Sequence, residues 1–231
     1  MLVRHGLTAM TGPVLAGWTP GLHLDERGRA SALALGQRLA PIGFRALVSS
    51  PLDRCLDTAA AIALGRLGGS AAVIPDERIG EVHYGNWTGV PIGPLRRTPL
   101  WQVLEHAPSA AVFPGPGGEA LSEAQYRAVT AVRDWDERLR NEHGDDATWL
   151  ACSHGDIIKS VVADALGLHL DLLHRIHIDP CSVTVIRYSA LRPNVLRIND
   201  VGGDLSELIP ARRRRRARSG VALGGGAGAP L

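Results

Sequence analysis

Lysine is almost absent from this 231-residue chain: Lys159 stands alone among 25 lysines and arginines. That imbalance reads as codon bias, with no chemistry attached. Cysteine is scarce as well. Cys55, Cys152 and Cys181 are an odd number without a CxxC spacing. This excludes a disulfide frame and fits reduced thiols in a cytosolic protein. No apolar run approaches the roughly 20 residues that span a bilayer, so no membrane partner is expected. Met1 to His5 shows no basic segment followed by an apolar one, so no secretory signal is expected either. No GxxxxGK(S/T) pattern occurs, which excludes a nucleotide site of the P-loop type.

Acidic residues are missing from residues 210–231, which carry six arginines (Arg212 to Arg216, and Arg218). The formal net charge of +2 hides this. Without the tail the balance is 19 basic against 23 acidic side chains, or −4. A mildly acidic body with a basic tail excludes a globally basic nucleic-acid binder as the default. No nucleic acid is expected for the domain. The arginine run could touch nucleic acid or anionic lipid, and a solvated tail is the plainer reading.

What is present suits one globular domain over residues 1–209, with 45% hydrophobic and 21% charged residues overall. Residues 210–231, rich in arginine and then in glycine and alanine, lack the side chains for a core and are expected to be disordered. Short apolar runs alternate with longer amphipathic ones. Strands are expected at Leu2-Val3, at Ala46 to Val48, at Ala71 to Ile74 and at Trp149 to Cys152, with closing strands at Val183 to Tyr188 and Val195 to Ile198. Helices are expected over 26–40 behind Asp25 as N-cap, from Ser50-Pro51 to about Leu67, over 119–142 and over 156–166. Residues 79–118 hold seven glycines and six prolines, which predicts loops around one helix near Leu100 to His106. This order predicts a three-layer α/β/α sandwich with a mostly parallel central sheet.

Two tripeptides carry the chemistry. Arg4-His5-Gly6 follows the first strand, and Ser153-His154-Gly155 follows another strand and precedes a helix. Ligands of open α/β sheets bind beyond the carboxyl ends of the strands, so both histidines are expected at one edge although 149 positions separate them. Arg54 falls in the first turn of the helix opened by Ser50-Pro51, at that same edge. Guanidinium forks bind phosphate bidentately, and helix N-termini present free N–H donors. The expected ligand is therefore a dianionic tetrahedral group. Gly6 and Gly155 are read as leaving room for a ligand to approach the backbone. A neutral imidazole is a competent nucleophile at phosphorus. Glu81 follows the strand at 71–74, and a carboxyl held protonated there can act as acid and then as base.

These segments resemble the histidine phosphatase superfamily, also called phosphoglycerate mutase-like. The resemblance is carried by Leu2-Val3-Arg4-His5-Gly6-Leu7-Thr8, Ser49 to Ala59, Glu81 through Gly89, Gly118-Glu119-Ala120-Leu121 and Ser153-His154-Gly155, and it covers residues 1–200. It implies His5 as the phosphorylated nucleophile. It implies that Arg4, Arg54 and His154 hold the phosphoryl oxygens and that Glu81 donates the proton. It implies neither cofactor nor metal. Three residues precede Arg4, and Thr11 stands where many members have asparagine. The interval from Glu81 to Glu119 is shorter than in the mutases and points to a phosphatase, whereas Val82 to Gly85 and Arg96-Arg97 look like mutase features.

Other residues have a functional and a bland reading. Thr8 touches phosphate or only caps a turn. Trp18, His23 and Trp87 line the substrate or pack. Arg96 and Arg97 read a second anionic group or are solvated charge. His169, His174, His177 and Asp179 lack regular zinc-ligand spacing and are read as structural or surface residues. Cys152 is read as core. The expected activity is hydrolysis of a small phosphorylated metabolite in the cytoplasm. A phosphomutase and a non-hydrolytic phosphate-ligand binding protein stay open as alternatives, and so does a homodimer.

Overall fold

A computed structural model describes residues 1–65, 72–189 and 191–203. Fourteen helices and strands carry the fold. They are β1 (Leu2–Arg4), β2 (Val14–Leu15), α1 (Glu26–Leu39), β3 (Leu47–Ser49), α2 (Asp53–Gly65), β4 (Val73–Pro75), β5 (Val90–Pro91), α3 (Ile92–Leu95), α4 (Pro99–His106), α5 (Leu121–His143), β6 (Leu150–Ser153), α6 (Gly155–Leu166), β7 (Val183–Arg187) and β8 (Asn194–Asp200). The main sheet has the order β4-β3-β6-β1-β7-β8. Its first four strands run parallel, β7 pairs antiparallel with β1, and β8 pairs antiparallel with β7.

Successive side chains of a strand point to opposite faces, and the core divides accordingly. Leu2, Val48 and Ala151 face a cluster with Ala128, Val132 and Trp135 of α5 and with Ile157, Ile158 and Val161 of α6. Val3, Leu47, Leu150 and Cys152 face the other cluster, with Ala32, Leu35 and Leu39 of α1 and with Cys55, Ala59 and Ile62 of α2. Helices therefore cover both faces, which makes the three-layer α/β/α sandwich that the strand–helix alternation predicts. A sheet buried on both sides needs near-continuous apolar strands, and Leu47-Val48 and Leu150-Ala151-Cys152 supply them.

The caps explain most helix boundaries. Asp25 accepts the amide of Gly28 at 2.7 Å and starts α1. Gly167 takes a left-handed conformation (φ 67°) and ends α6. One expected start is corrected. Helix α2 begins at Asp53, after a bend over residues 51–52, and not at Pro51. The hydroxyl of Ser50 lies 2.7 Å from Nε2 of His154 and only 3.4 Å from the Leu52 amide, so it is drawn away from capping. The loop-rich stretch also holds more than one helix. Besides α4 it contains α3 and β5, and β5 pairs antiparallel with β2 (Val14↔Pro91, Leu15↔Val90). Two-residue strands are too short to leave a periodicity. The expected end of α2 near Leu67 and the tail at 210–231 lie outside the described residues.

Glycine fixes one contact that positions the first loop. Gly6 and Gly28 pack back to back: a Cβ on Gly6 would come within 2.8 Å of the Gly28 carbonyl oxygen. A Cβ on Gly28 would overlap the Leu7 carbonyl. The missing side chain of Gly6 thus serves close packing of the loop on α1. Gly28→Ala is expected to destabilise the protein by about 1–3 kcal/mol, the usual cost of overpacking. Gly43→Ala, at a position with nothing within 4 Å of a new Cβ, is the control. Equal melting temperatures for the two variants would refute the packing argument.

Candidate active site

Strand register brings the two histidines together. Arg4 of β1 pairs with Ser153 of β6 in parallel, so the residues that follow leave the sheet side by side. The amide of His5 donates to the Ser153 carbonyl at 2.9 Å, and the two imidazole centroids are 5.2 Å apart. Thr58 of α2 secures the loop from below by accepting the Gly6 amide at 3.0 Å.

Arg54 is buried between the two rings. Its Nε donates to Nε2 of His5 at 3.2 Å, and its Nη2 donates to the Gly17 carbonyl at 2.8 Å and meets Nδ1 of His154 at 3.1 Å. Its Nη1 has no hydrogen-bond partner among the described residues. Arg4 is fully buried and donates through Nη1 to the Ile178 carbonyl at 2.8 Å. Burial lowers the Arg4 guanidinium to about 10, against the opposing pull of Glu81, Asp156 and Asp179, so it stays charged at neutral pH.

The hydrogen bonds assign the protons of both imidazoles. Nδ1 of His5 lies 2.8 Å from the Gly6 carbonyl oxygen. A carbonyl only accepts, so Nδ1 carries the hydrogen and Nε2 presents its lone pair to the Arg54 side. Burial first, and then Arg54 and Arg4, push the pKa of His5 well below its ordinary value. His154 accepts from Arg54 at Nδ1, which leaves its Nε2–H to donate to Ser50 Oγ. Burial, Arg54 and His5 hold it neutral too.

Glu81 follows the short 3-10 turn Glu77–Ile79 and is only 3% exposed. Its Oε1 accepts the Val82 amide at 3.0 Å, and its Oε2 lies 3.8 Å from Nδ1 of His154. Burial raises its pKa to about 7, with Asp156 adding to the rise and Arg54 opposing it. Arg4, His5, Thr8, Arg54 and Glu81 line one small cavity of about 20 Å³, closed on its outer side by Met10 to Gly12, Val14, Ala16 and Gly17. That is room for about one water. A wider cleft of about 360 Å³ beside α1 has no histidine among its walls, and its Arg38 is partly exposed and paired with Asp200 at 3.0 Å.

The remaining candidates divide. Thr8 lines the cavity and exchanges a hydroxyl hydrogen bond with Thr11 at 2.9 Å. Gly155 is buried as the first residue of α6. Trp18 stacks on His83 at 4.3 Å and donates to the Glu81 carbonyl at 2.6 Å, so it touches the acid's backbone and not the cavity. Trp87 is buried against Trp101 and Phe113. His23 is exposed and pairs with Asp57 at 2.9 Å. Arg96 and Arg97 are exposed, with Arg96 5.8 Å above the Trp101 ring.

The sequence reading missed several partners. Ser50 was hidden as a helix cap. Asp156 is fully buried; it accepts from Tyr84 Oη at 2.9 Å and from Lys159 Nζ at 3.2 Å. The lone lysine is thus a buried ammonium beside the site. The Asp156–Lys159 spacing on one helix face was the available signal.

The chain matches the histidine phosphatase superfamily (branch 1) over residues 1–201. It is 31% identical over 185 residues to a glucosyl-3-phosphoglycerate phosphatase of Mycolicibacterium vanbaalenii, covering 74% of this chain and 75% of the relative. It is 25% identical over 191 residues to a 2,3-bisphosphoglycerate-dependent phosphoglycerate mutase of Gloeobacter violaceus, covering 82% and 85%. Among solved structures it is similar to Bacillus stearothermophilus YhfR, with a TM-score of 0.74 at 29% identity over 87% of this chain and 96% of that one. With the matched region spanning nearly the whole sheet and all the residues of the buried cluster, this chain belongs to the histidine phosphatase superfamily, branch 1.

Proposed function

We propose that the chain hydrolyses a small phosphate monoester through a phosphohistidine formed on His5. The observation that carries this reading is the state of His5. It is a neutral imidazole fixed by the Gly6 carbonyl, with its bare Nε2 beside the Arg54 guanidinium and close to a carboxyl of pKa about 7.

The substrate's phosphoryl oxygens replace His5 and His154 as the partners of Arg54, whose free Nη1 adds a donor. Arg4 supplies the second guanidinium, and His154 the Nε2–H now held by Ser50. Nε2 of His5 attacks phosphorus while the bond to the leaving oxygen breaks, and that oxygen takes the proton of Glu81. The Gly6 carbonyl stabilises the positive charge that develops on the ring. In the second half Glu81, now a carboxylate, takes a proton from water. The water oxygen bonds to phosphorus, the P–N bond breaks, and inorganic phosphate leaves with His5 restored. Preset donors around the phosphoryl group supply most of the rate. Transfer of the phosphoryl group to a second substrate hydroxyl, as a mutase would do, uses the same first half. The short interval from Glu81 to Glu119 and the similarity to a phosphatase favour water as the acceptor.

His5→Ala is expected to lower turnover of a generic phosphate ester by at least about 10³-fold, with an unchanged melting profile. In the wild-type chain, acid-labile phosphate should be trapped on His5. Retained turnover, or a label elsewhere, would sink the assignment. A coupled assay for phosphoglycerate interconversion beside phosphate release should show release dominating, and the reverse would make the chain a mutase.

Glu81→Ala should cost an alkyl phosphate the ~10²–10⁴-fold that a positioned acid supplies, and p-nitrophenyl phosphate much less. The sign of the pH dependence follows. Glu81 must start protonated, so kcat/KM for the alkyl ester should fall as pH rises through about 7. Toward acid, activity should fall as the substrate dianion is protonated near pH ~6. A profile flat from pH 6 to 9 for the alkyl ester would contradict the role of Glu81.

A further inference from the structure

Glu81 sits on a segment without regular secondary structure, between the turn at Glu77–Ile79 and the turn at Gly85–Trp87. Such a segment cannot hold a carboxyl in place by ladder hydrogen bonds. One side chain of α5 does so instead. Arg127 donates through Nη1 to the carbonyls of Arg78 and Gly80, both at 2.8 Å, and through Nη2 to the carbonyl of Glu81 at 2.8 Å. Its other donors go to Glu119, with Nε to Oε2 at 3.0 Å and Nη2 to Oε1 at 2.6 Å. All five N–H donors of the guanidinium are thereby used in one planar fork. Glu119 completes the frame. Its Oε1 accepts the His83 amide at 2.7 Å, and its own amide donates to the His83 carbonyl at 3.0 Å.

We propose that Arg127, oriented by Glu119, is a positioning residue for the proton donor: it grips the backbone on both sides of Glu81 and sets where the carboxyl stands relative to the leaving oxygen. The inference rests on Glu81 being the acid. The bidentate ion pair lies away from the phosphoryl pocket, since neither Arg127 nor Glu119 lines the cavity. Its loss should therefore spare phosphate binding and the nucleophile. Lysine cannot substitute, because a point charge with three donors cannot reach three carbonyls and two carboxylate oxygens at once.

The experiment is a double-mutant cycle on two esters. Arg127→Lys should lower kcat for an alkyl phosphate by roughly tenfold or more, a share of the ~10²–10⁴-fold that the acid supplies, with KM changed by less than about threefold. The loss on p-nitrophenyl phosphate should be smaller. In a Glu81→Ala background, Arg127→Lys should cost nothing further, since residues acting as one unit are not additive. Added guanidinium should restore part of the alkyl-ester rate to Arg127→Ala. Should the Arg127 variants melt below the assay temperature, Glu119→Gln, which keeps the shape of the acceptor, is read in the same way. Equal losses on both esters, or an additive loss in the Glu81→Ala background, would overturn the inference alone. If Glu81→Ala itself shows no preference for the activated ester, the acid role falls and the inference falls with it.

Discussion

Everything at this site depends on burying two guanidinium groups beside two imidazoles. Burying a charge is costly unless it is paired or hydrogen-bonded. Arg4 and Arg54 meet that cost with main-chain carbonyls, Ile178 for one and Gly17 for the other. Carboxylates also draw on Arg4, with Glu81 first among them. The imidazoles cannot add a third positive charge, and both are held neutral. The neutral form of His5 follows first from its burial and then from the two cations beside it. A histidine in water would divide between two protonation states near neutral pH. Here the neighbours have already chosen.

The same crowding sets the acid. Glu81 lies between the cations of the pocket and the buried Asp156, and the second influence reinforces burial. Asp156 is itself held by Tyr84 and Lys159. The carboxyl near the positive pocket therefore keeps its proton to about pH 7, while the imidazoles near it have lost theirs. In the proposed reaction the acid and the nucleophile would thus be sorted by environment, which is the arrangement that a two-step transfer needs.

How much of this was legible in the sequence follows from what each feature depends on. The main elements were legible because apolar runs such as Leu150-Ala151-Cys152 and caps such as Asp25 are local. The meeting of His5 with His154 was legible because parallel strands send their carboxyl ends to one edge, whatever the distance along the chain. Three things were not. Ser50 was assigned to its own helix, whereas its hydroxyl meets His154 at the end of the neighbouring strand β6. Gly28 looks like an ordinary helical glycine, and only the approach of Leu7 explains it. Lys159 looked like an accident of composition, and only burial against Asp156 shows it as part of the site's surroundings. Each is a tertiary contact whose partner lies elsewhere in the chain or whose meaning comes from burial, so no window of sequence contains it.

The outer wall shows the same limit in a form that bears on specificity. Residues 10–17 border the cavity, held by the pairing of β2 with β5, by the Ile92 amide on the Pro13 carbonyl, by Leu15 in the core, by the Thr8–Thr11 hydroxyl contact and by the Gly17 carbonyl on Arg54. The last of these is a bond to the very guanidinium that a phosphoryl group would claim. In the proposed reaction a dianion that takes Arg54 would compete with the Gly17 carbonyl, one of the contacts of this wall. The buried side of the cavity is built on the sheet, since His5 and His154 leave the neighbouring parallel strands β1 and β6. The proposed chemistry is therefore read from Arg4, His5, Arg54 and His154, which the sheet brings together, whereas the segment 10–17 depends on contacts with β5 and Arg54 that no local pattern announces.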